Sequence, residues 1–224
     1  MRFVVVGPGA IGGVIAGRLA EHGFDVLAVA RGAHFEAIRD HGLTVESADG
    51  ATTTPIPVVD RVEAVDWTAD DVAILAMKGQ DTVGVLEELE RSSAPPELPI
   101  VCAQNGVANE REALRRFPRV YGICVMCPAT HLEPGVVQAN STPIGGLLDI
   151  GRYPRGLDDT TRQIAEAFNA STFQSRAVPE IMRWKYCKLI MNLSNAIEAL
   201  AGSADRAGDL YGMAAREAIT CLRA

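Results

Sequence analysis

The chain has 224 residues, 48% of them hydrophobic and 22% charged, with a formal net charge of −7. That length and mix support one large globular domain, or one domain and part of a second, and exclude a disordered chain. The acidic balance excludes a general nucleic-acid partner but leaves room for a local basic pocket holding one small anion.

Residues 3–6 (FVVV) form a short, β-branched apolar run that predicts a strand buried on both faces. Pro8 and the glycines that follow interrupt the apolar stretch, which argues against a signal peptide. Ile11, Val14, Ile15 and Leu19 recur at helical spacing up to Gly23. Further strands are predicted at 25–30 (DVLAVA), 72–77 (VAILAM), 99–103 (PIVCA) and 120–126 (VYGICVM), with a short helix over 110–117. Glu133-Pro134-Gly135 predicts a hairpin turn. Strands alternating with helices imply an α/β, Rossmann-type fold with a mainly parallel sheet covered on both faces. After about residue 173 the pattern becomes helical. Pro179 can open a helix, no breaker follows until Gly202, and the remainder to Ala224 reads as helix. The expected division is a Rossmann-type domain over 1–176 and the start of an all-helical domain over 177–224, which stops without a helix-ending signal.

No run approaches the ~18 apolar residues of a membrane-spanning helix, so no membrane partner is expected. Five cysteines, an odd number, suggest free thiols in a reducing cytoplasm. Cys124 and Cys127 form one CxxC with no second pair, and the four histidines lie elsewhere, so no metal site is expected.

Gly7-Pro8-Gly9-Ala10-Ile11-Gly12 follows a predicted strand and opens a predicted helix. This is the context in which GxGxxG binds a dinucleotide. Gly7 permits the turn, Gly9 lets a diphosphate approach the backbone, and Gly12 lets helix and sheet pack closely. The alternative is a tight turn with no ligand. An NAD site places an acidic residue at the end of the second strand. Here that strand ends in Ala30-Arg31, and Asp25 comes too early. Arg31 would pair with a 2′-phosphate, which predicts NADP(H); the alternative is a solvated surface arginine. Lys78 and Asn105 follow two other strands on the same edge of the sheet. They read as cleft-wall residues, or else as a solvated cap and an Asn-Gly turn. On the long helix, Lys185, Lys188, Asn192 and Asn195 fall on one face at ~100° per residue. Leu189, Leu193, Ile197 and Leu200 form an apolar flank expected to be buried. Two asparagines have poor helix propensity, which favours a cleft-lining face over a merely solvated one.

GPGAIG, MKGQDT, QNGVANE, EPGVV and WKYCKLIMNLSNA together resemble the ketopantoate reductases, NADP-dependent reductases of 2-oxo acids. The resemblance implies that Lys188 is the catalytic lysine and that Asn192, Asn195 and Asn105 bind substrate. Gly7, Pro8, Gly9, Ala10, Ile11, Gly12, Arg31, Lys78 and Asn105 would hold the cofactor. The family often carries its second helix asparagine four residues after the first; here Ala196 stands there and Asn195 one place earlier. Members continue through further helices, so this chain reads as C-terminally truncated. The partner implied is a small 2-oxo acid, 2-dehydropantoate first, and a homodimer is left open. A different hydroxyacid or opine-type dehydrogenase and a non-enzymatic NADP(H)-binding redox sensor remain as alternatives.

Overall fold

A computed structural model describes residues 1–202 and 209–223; residues 203–208 and 224 of the expected C-terminal helix lie outside the described residues. The chain runs through β1 (Arg2–Val6), α1 (Ala10–Glu21), β2 (Asp25–Val29), α2 (Gly32–His41), β3 (Leu43–Ser47), β4 (Gly50–Thr54) and β5 (Val58–Val59). It continues through β6 (Asp71–Leu75), α3 (Thr82–Arg91), β7 (Ile100–Cys102), α4 (Asn109–Leu114), β8 (Val120–Met126), β9 (Ala129–Thr130), β10 (Val136–Ala139) and β11 (Leu147–Arg152). Four helices close it: α5 (Asp159–Asn169), α6 (Ile181–Met191), α7 (Leu193–Ala201) and α8 (Asp209–Arg223).

Seven strands form the central sheet in the order β11-β8-β7-β6-β1-β2-β5. All neighbours are parallel except β11, which lies antiparallel to β8. Alternate residues of β1 serve opposite faces: Phe3 and Val5 join one buried apolar cluster, Val4 and Val6 the other. That two-sided burial is what a continuous β-branched run is suited to. β6 and β7 follow the same pattern, so the strands predicted from apolar runs are the centre of the sheet.

A second sheet, ordered β4-β3-β10-β9, was only glimpsed in the sequence through its β9–β10 hairpin. Helix α1 is packed between the two sheets. A Cβ on Gly13 would sit 2.6 Å from Val137 of β10, and one on Gly17 2.3 Å from Val45 of β3.

The C-terminal helical stretch departs from expectation in two ways. The single helix expected from Pro179 to Gly202 begins at Ile181 and is interrupted at Asn192. There the Asn195 N–H bonds the Asn192 carbonyl, an i→i−3 link at 3.0 Å that tightens the turn. The apolar flank is also not buried: Leu189 is 37% and Leu200 90% exposed. Helical periodicity identifies an apolar side but not whether a neighbour covers it. Among the described residues, no helix is long and apolar enough to cross a membrane.

Candidate active site

The glycine-rich turn sits between β1 and α1. Gly7 has φ +82°, and a Cβ there would meet Met77 at 2.8 Å. A Cβ on Gly12 would sit 2.4 Å from the Gly7 carbonyl oxygen, so helix and turn touch backbone to backbone. Gly9 differs: a side chain there would meet only Nδ1 of His131, at 3.9 Å. The space above Gly9 is therefore a cradle. No side chain caps the N-terminus of α1, and its first turn holds no acidic residue. The first N–H groups of α1 are left to an external acceptor, a setting suited to a diphosphate. The residues present fit a dinucleotide.

Next to this cradle is a pocket of about 280 Å3 lined by Gly7, Pro8, Gly9, Arg31, His34 and His131 among others. Arg31 stands at the end of β2 with its side chain 64% exposed, and its guanidinium donates to both carboxylate oxygens of Glu88 at 2.8 and 3.0 Å. Lys78 is exposed immediately after Met77, another lining residue.

A larger cleft, about 1040 Å3, brings together Ile11 from the first turn of α1, Asn105 and the face of α6–α7 that carries Lys188, Asn192 and Asn195. The break at Asn192 does not separate the two helix asparagines from Lys188. The Lys188 ammonium donates to Oδ1 of Asn105 at 2.5 Å. Burial, chiefly, holds the Lys188 pKa below the ordinary lysine range; nearby Lys185 pushes it the same way, while Cys124 and Cys127 act against the shift. Cys127, on the cleft wall, is itself pushed up to about 11 by burial, so it stays a thiol.

The sequence placed Lys185 with the cleft residues, but the structure gives it a different position. The Lys185 side chain is 3% exposed and ion-pairs with Glu110, which is fully buried at the start of α4. Its ammonium also donates to the Gln104 carbonyl at 3.0 Å. The Glu110 contact lies outside hydrogen-bond geometry, and both Glu110 carboxylate oxygens and Gln104 Oε1 lack hydrogen-bond partners among the described residues. The ion contact is what compensates the buried charge. Gly122 on β8 makes room for it, since a Cβ there would be 3.1 Å from Glu110 Oε1. Two lysines one helical turn apart thus grip adjacent residues of one loop: Lys185 holds Gln104 and Lys188 holds Asn105. The same loop is braced from below, where Gln104 Nε2 donates to Thr82 Oγ1 at 2.9 Å and Thr82 in turn to Asn109 Oδ1 at 2.9 Å. Glu110 was read from sequence only as part of a short helix. Nothing in the polar run of α4 sets it apart from Glu112, which is only partly buried.

Two histidines were also missed. His34 donates from Nε2 to the Pro8 carbonyl at 2.7 Å and accepts at Nδ1 from the Gly135 N–H at 2.8 Å. The His131 ring lies against it, with centroids 4.3 Å apart. No spacing in the sequence brings these two together. All five cysteines are free thiols.

Residues 3–155 match the family model described as ketopantoate reductase PanE/ApbA. The chain is similar to 2-dehydropantoate 2-reductase from Pyrococcus horikoshii, 30% identical over 192 residues that cover 86% of this chain and 61% of that protein. Among solved structures it is similar to 2-dehydropantoate 2-reductase from Methylococcus capsulatus, with TM-score 0.78 and 28% identity over 90% of this chain and 65% of that one. D-mandelate dehydrogenase, solved with NADH and anilino(oxo)acetate, shares the fold at TM-score 0.77 and 22% identity, covering 86% of this chain and 61% of that one. The chain spans about 60% of the length of the first curated relatives it matches.

Proposed function

The chain belongs to the ketopantoate reductase PanE/ApbA family, and on that premise we propose that it carries the cofactor-binding and proton-donating parts of an NADPH-dependent 2-oxo acid reductase, with 2-dehydropantoate as the first substrate to test. The observation that carries this reading is one cleft lined by Lys188, Asn105, Asn192, Asn195 and Ile11 of the first turn of α1, next to the phosphate turn. In this reading residues 1–176 hold the dinucleotide and 177–224 begin the substrate-binding helices. A cytoplasmic location goes with it, supported by the free thiols.

When bound, the nicotinamide supplies the hydride. The chain's own residues do the rest. The Lys188 ammonium faces the oxygen on which negative charge develops and gives it a proton, leaving a neutral amine that water reprotonates. Desolvation makes this lysine a better acid than the ordinary one with its pKa near ~10.4. Asn105 holds the ammonium in place through its Oδ1, while Asn192 and Asn195 offer amides to the substrate carboxylate. Arg31 pairs with the 2′-phosphate, exchanging its present partner Glu88.

The test is a titration of the chain with NADPH and NADH, followed by a panel of 2-oxo acids monitored by NADPH absorbance. Tight NADPH binding is expected of the chain itself, and turnover of 2-dehydropantoate is expected of a protein that also supplies the remaining length of the relatives. Failure to bind either dinucleotide would refute the reading, and binding without reduction of any 2-oxo acid, even by a protein of the relatives' full length, would favour the redox-sensor alternative.

A further inference from the structure

The two histidines beside the phosphate turn are unequal partners. Both nitrogens of His34 are used: Nε2 must carry the proton to donate to Pro8, and Nδ1 must be bare to accept from Gly135. A protonated His34 would set an N–H against the Gly135 N–H and cut a tie between α2 and the turn before β10. Burial, chiefly, lowers the His34 pKa, and neighbouring His131 adds to the shift against the opposing pull of the Pro8 bond. His131 is under no such constraint. It is part-exposed, no hydrogen bond among the described residues fixes its tautomer, and its Nδ1 lies over the open space at Gly9. Two imidazoles with ring centroids 4.3 Å apart disfavour a double charge, and His34 is committed as a neutral ring, so His131 is the member left to respond to a ligand.

We propose that His131 takes up a proton as a diphosphate settles over Gly9, so that dinucleotide binding is proton-linked. The proposal rests on the cofactor reading above. The charged or titratable groups sharing the pocket with His131 are His34 from α2, Arg31 at the end of β2 and Asp81 from the turn after β6. Arg31 is held by Glu88, and His34 is held neutral. His131, fixed by no hydrogen bond among the described residues and seated over Gly9, is therefore the group placed to answer the negative charge.

The experiment is calorimetric titration of the chain with NADPH near neutral pH, in two buffers of different ionisation heat, repeated with NADH and with a His131→Gln variant. Net proton uptake is expected for both dinucleotides, up to about one proton, with affinity falling by at most about tenfold per pH unit above neutrality. His131→Gln should remove the uptake. The 2′-phosphate titrates in both proteins, so the difference between wild type and variant isolates the protein's proton. Binding with no proton uptake by the wild type overturns the proposal whether or not the variant folds. So does uptake that persists undiminished in His131→Gln. Absence of any dinucleotide binding refutes the cofactor reading itself, and this inference with it.

Discussion

Removing one half of the Lys185–Glu110 pair should destabilise the protein severely. Both side chains are out of water, at 3% and 0% exposure, and each is the other's charge partner. Breaking a buried pair on one side leaves an uncompensated charge, at a cost of about 3–5 kcal/mol. In a protein of this size about 1 kcal/mol moves Tm by ~2–4 °C, so Glu110→Gln or Lys185→Met should lower Tm by about 6–20 °C. The double variant leaves no orphan charge and should recover much of the loss, with a coupling energy of at least about 2 kcal/mol. Urea denaturation of all four proteins measures this cycle. Because Lys185 helps hold the Lys188 pKa down, Lys185→Met should also move the Lys188 titration upward, followed by NMR of 15N-labelled lysine. Single variants that each cost under about 1 kcal/mol and add without coupling would refute the reasoning.

Three further outcomes are expected. Arg31→Ala should weaken NADPH binding about 10- to 100-fold and NADH binding little, while Glu88→Ala, which breaks an exposed pair worth at most ~1 kcal/mol, should tighten NADPH by no more than about fivefold; fluorescence titration reads both. Lys188→Met should cut turnover by orders of magnitude while NADPH still binds. It should also stabilise the fold at neutral pH, because a lysine whose folded pKa lies below its unfolded value binds fewer protons when folded, so its charge opposes folding below the folded pKa and the penalty fades as pH rises toward ~10.4; the stabilisation should shrink over that window in pH-dependent melts. Gly12→Ala should destabilise the protein and abolish dinucleotide binding, since its Cβ meets the Gly7 carbonyl oxygen at 2.4 Å and backbone cannot step aside cheaply; NADPH binding of wild-type strength would count against the close approach.

The central strands were legible because a strand buried on both faces must be apolar at almost every position, and β1, β6, β7 and β8 are, apart from Arg2 and Asp71 at the first positions of β1 and β6. β3 and β4 escaped notice because they are half-buried and threonine-rich: Leu43 and Val45 are core, while Thr44 and Thr53 pair hydroxyls on the outer side. The polar stripe on α6–α7 was legible as a cleft wall, since Lys188, Asn192 and Asn195 share a helix face. What Lys185 and His34 do was not, because their partners, Glu110 and the Pro8 and Gly135 backbone, come from distant parts of the chain. The exposed flank of α6 and α7 shows the limit of periodicity from the other direction: the apolar face was read correctly and its burial was not.

Helix α1 is clamped between two sheets, with Val45 and Val137 pressed against Gly17 and Gly13. Such a helix cannot swing, so whatever arrives at its N-terminus meets an already finished grip. Association then spends little freedom on rearranging the receptor, and adaptation to a new dinucleotide must come from exposed side chains at the rim such as Arg31, which can exchange one partner for another, rather than from the helix itself.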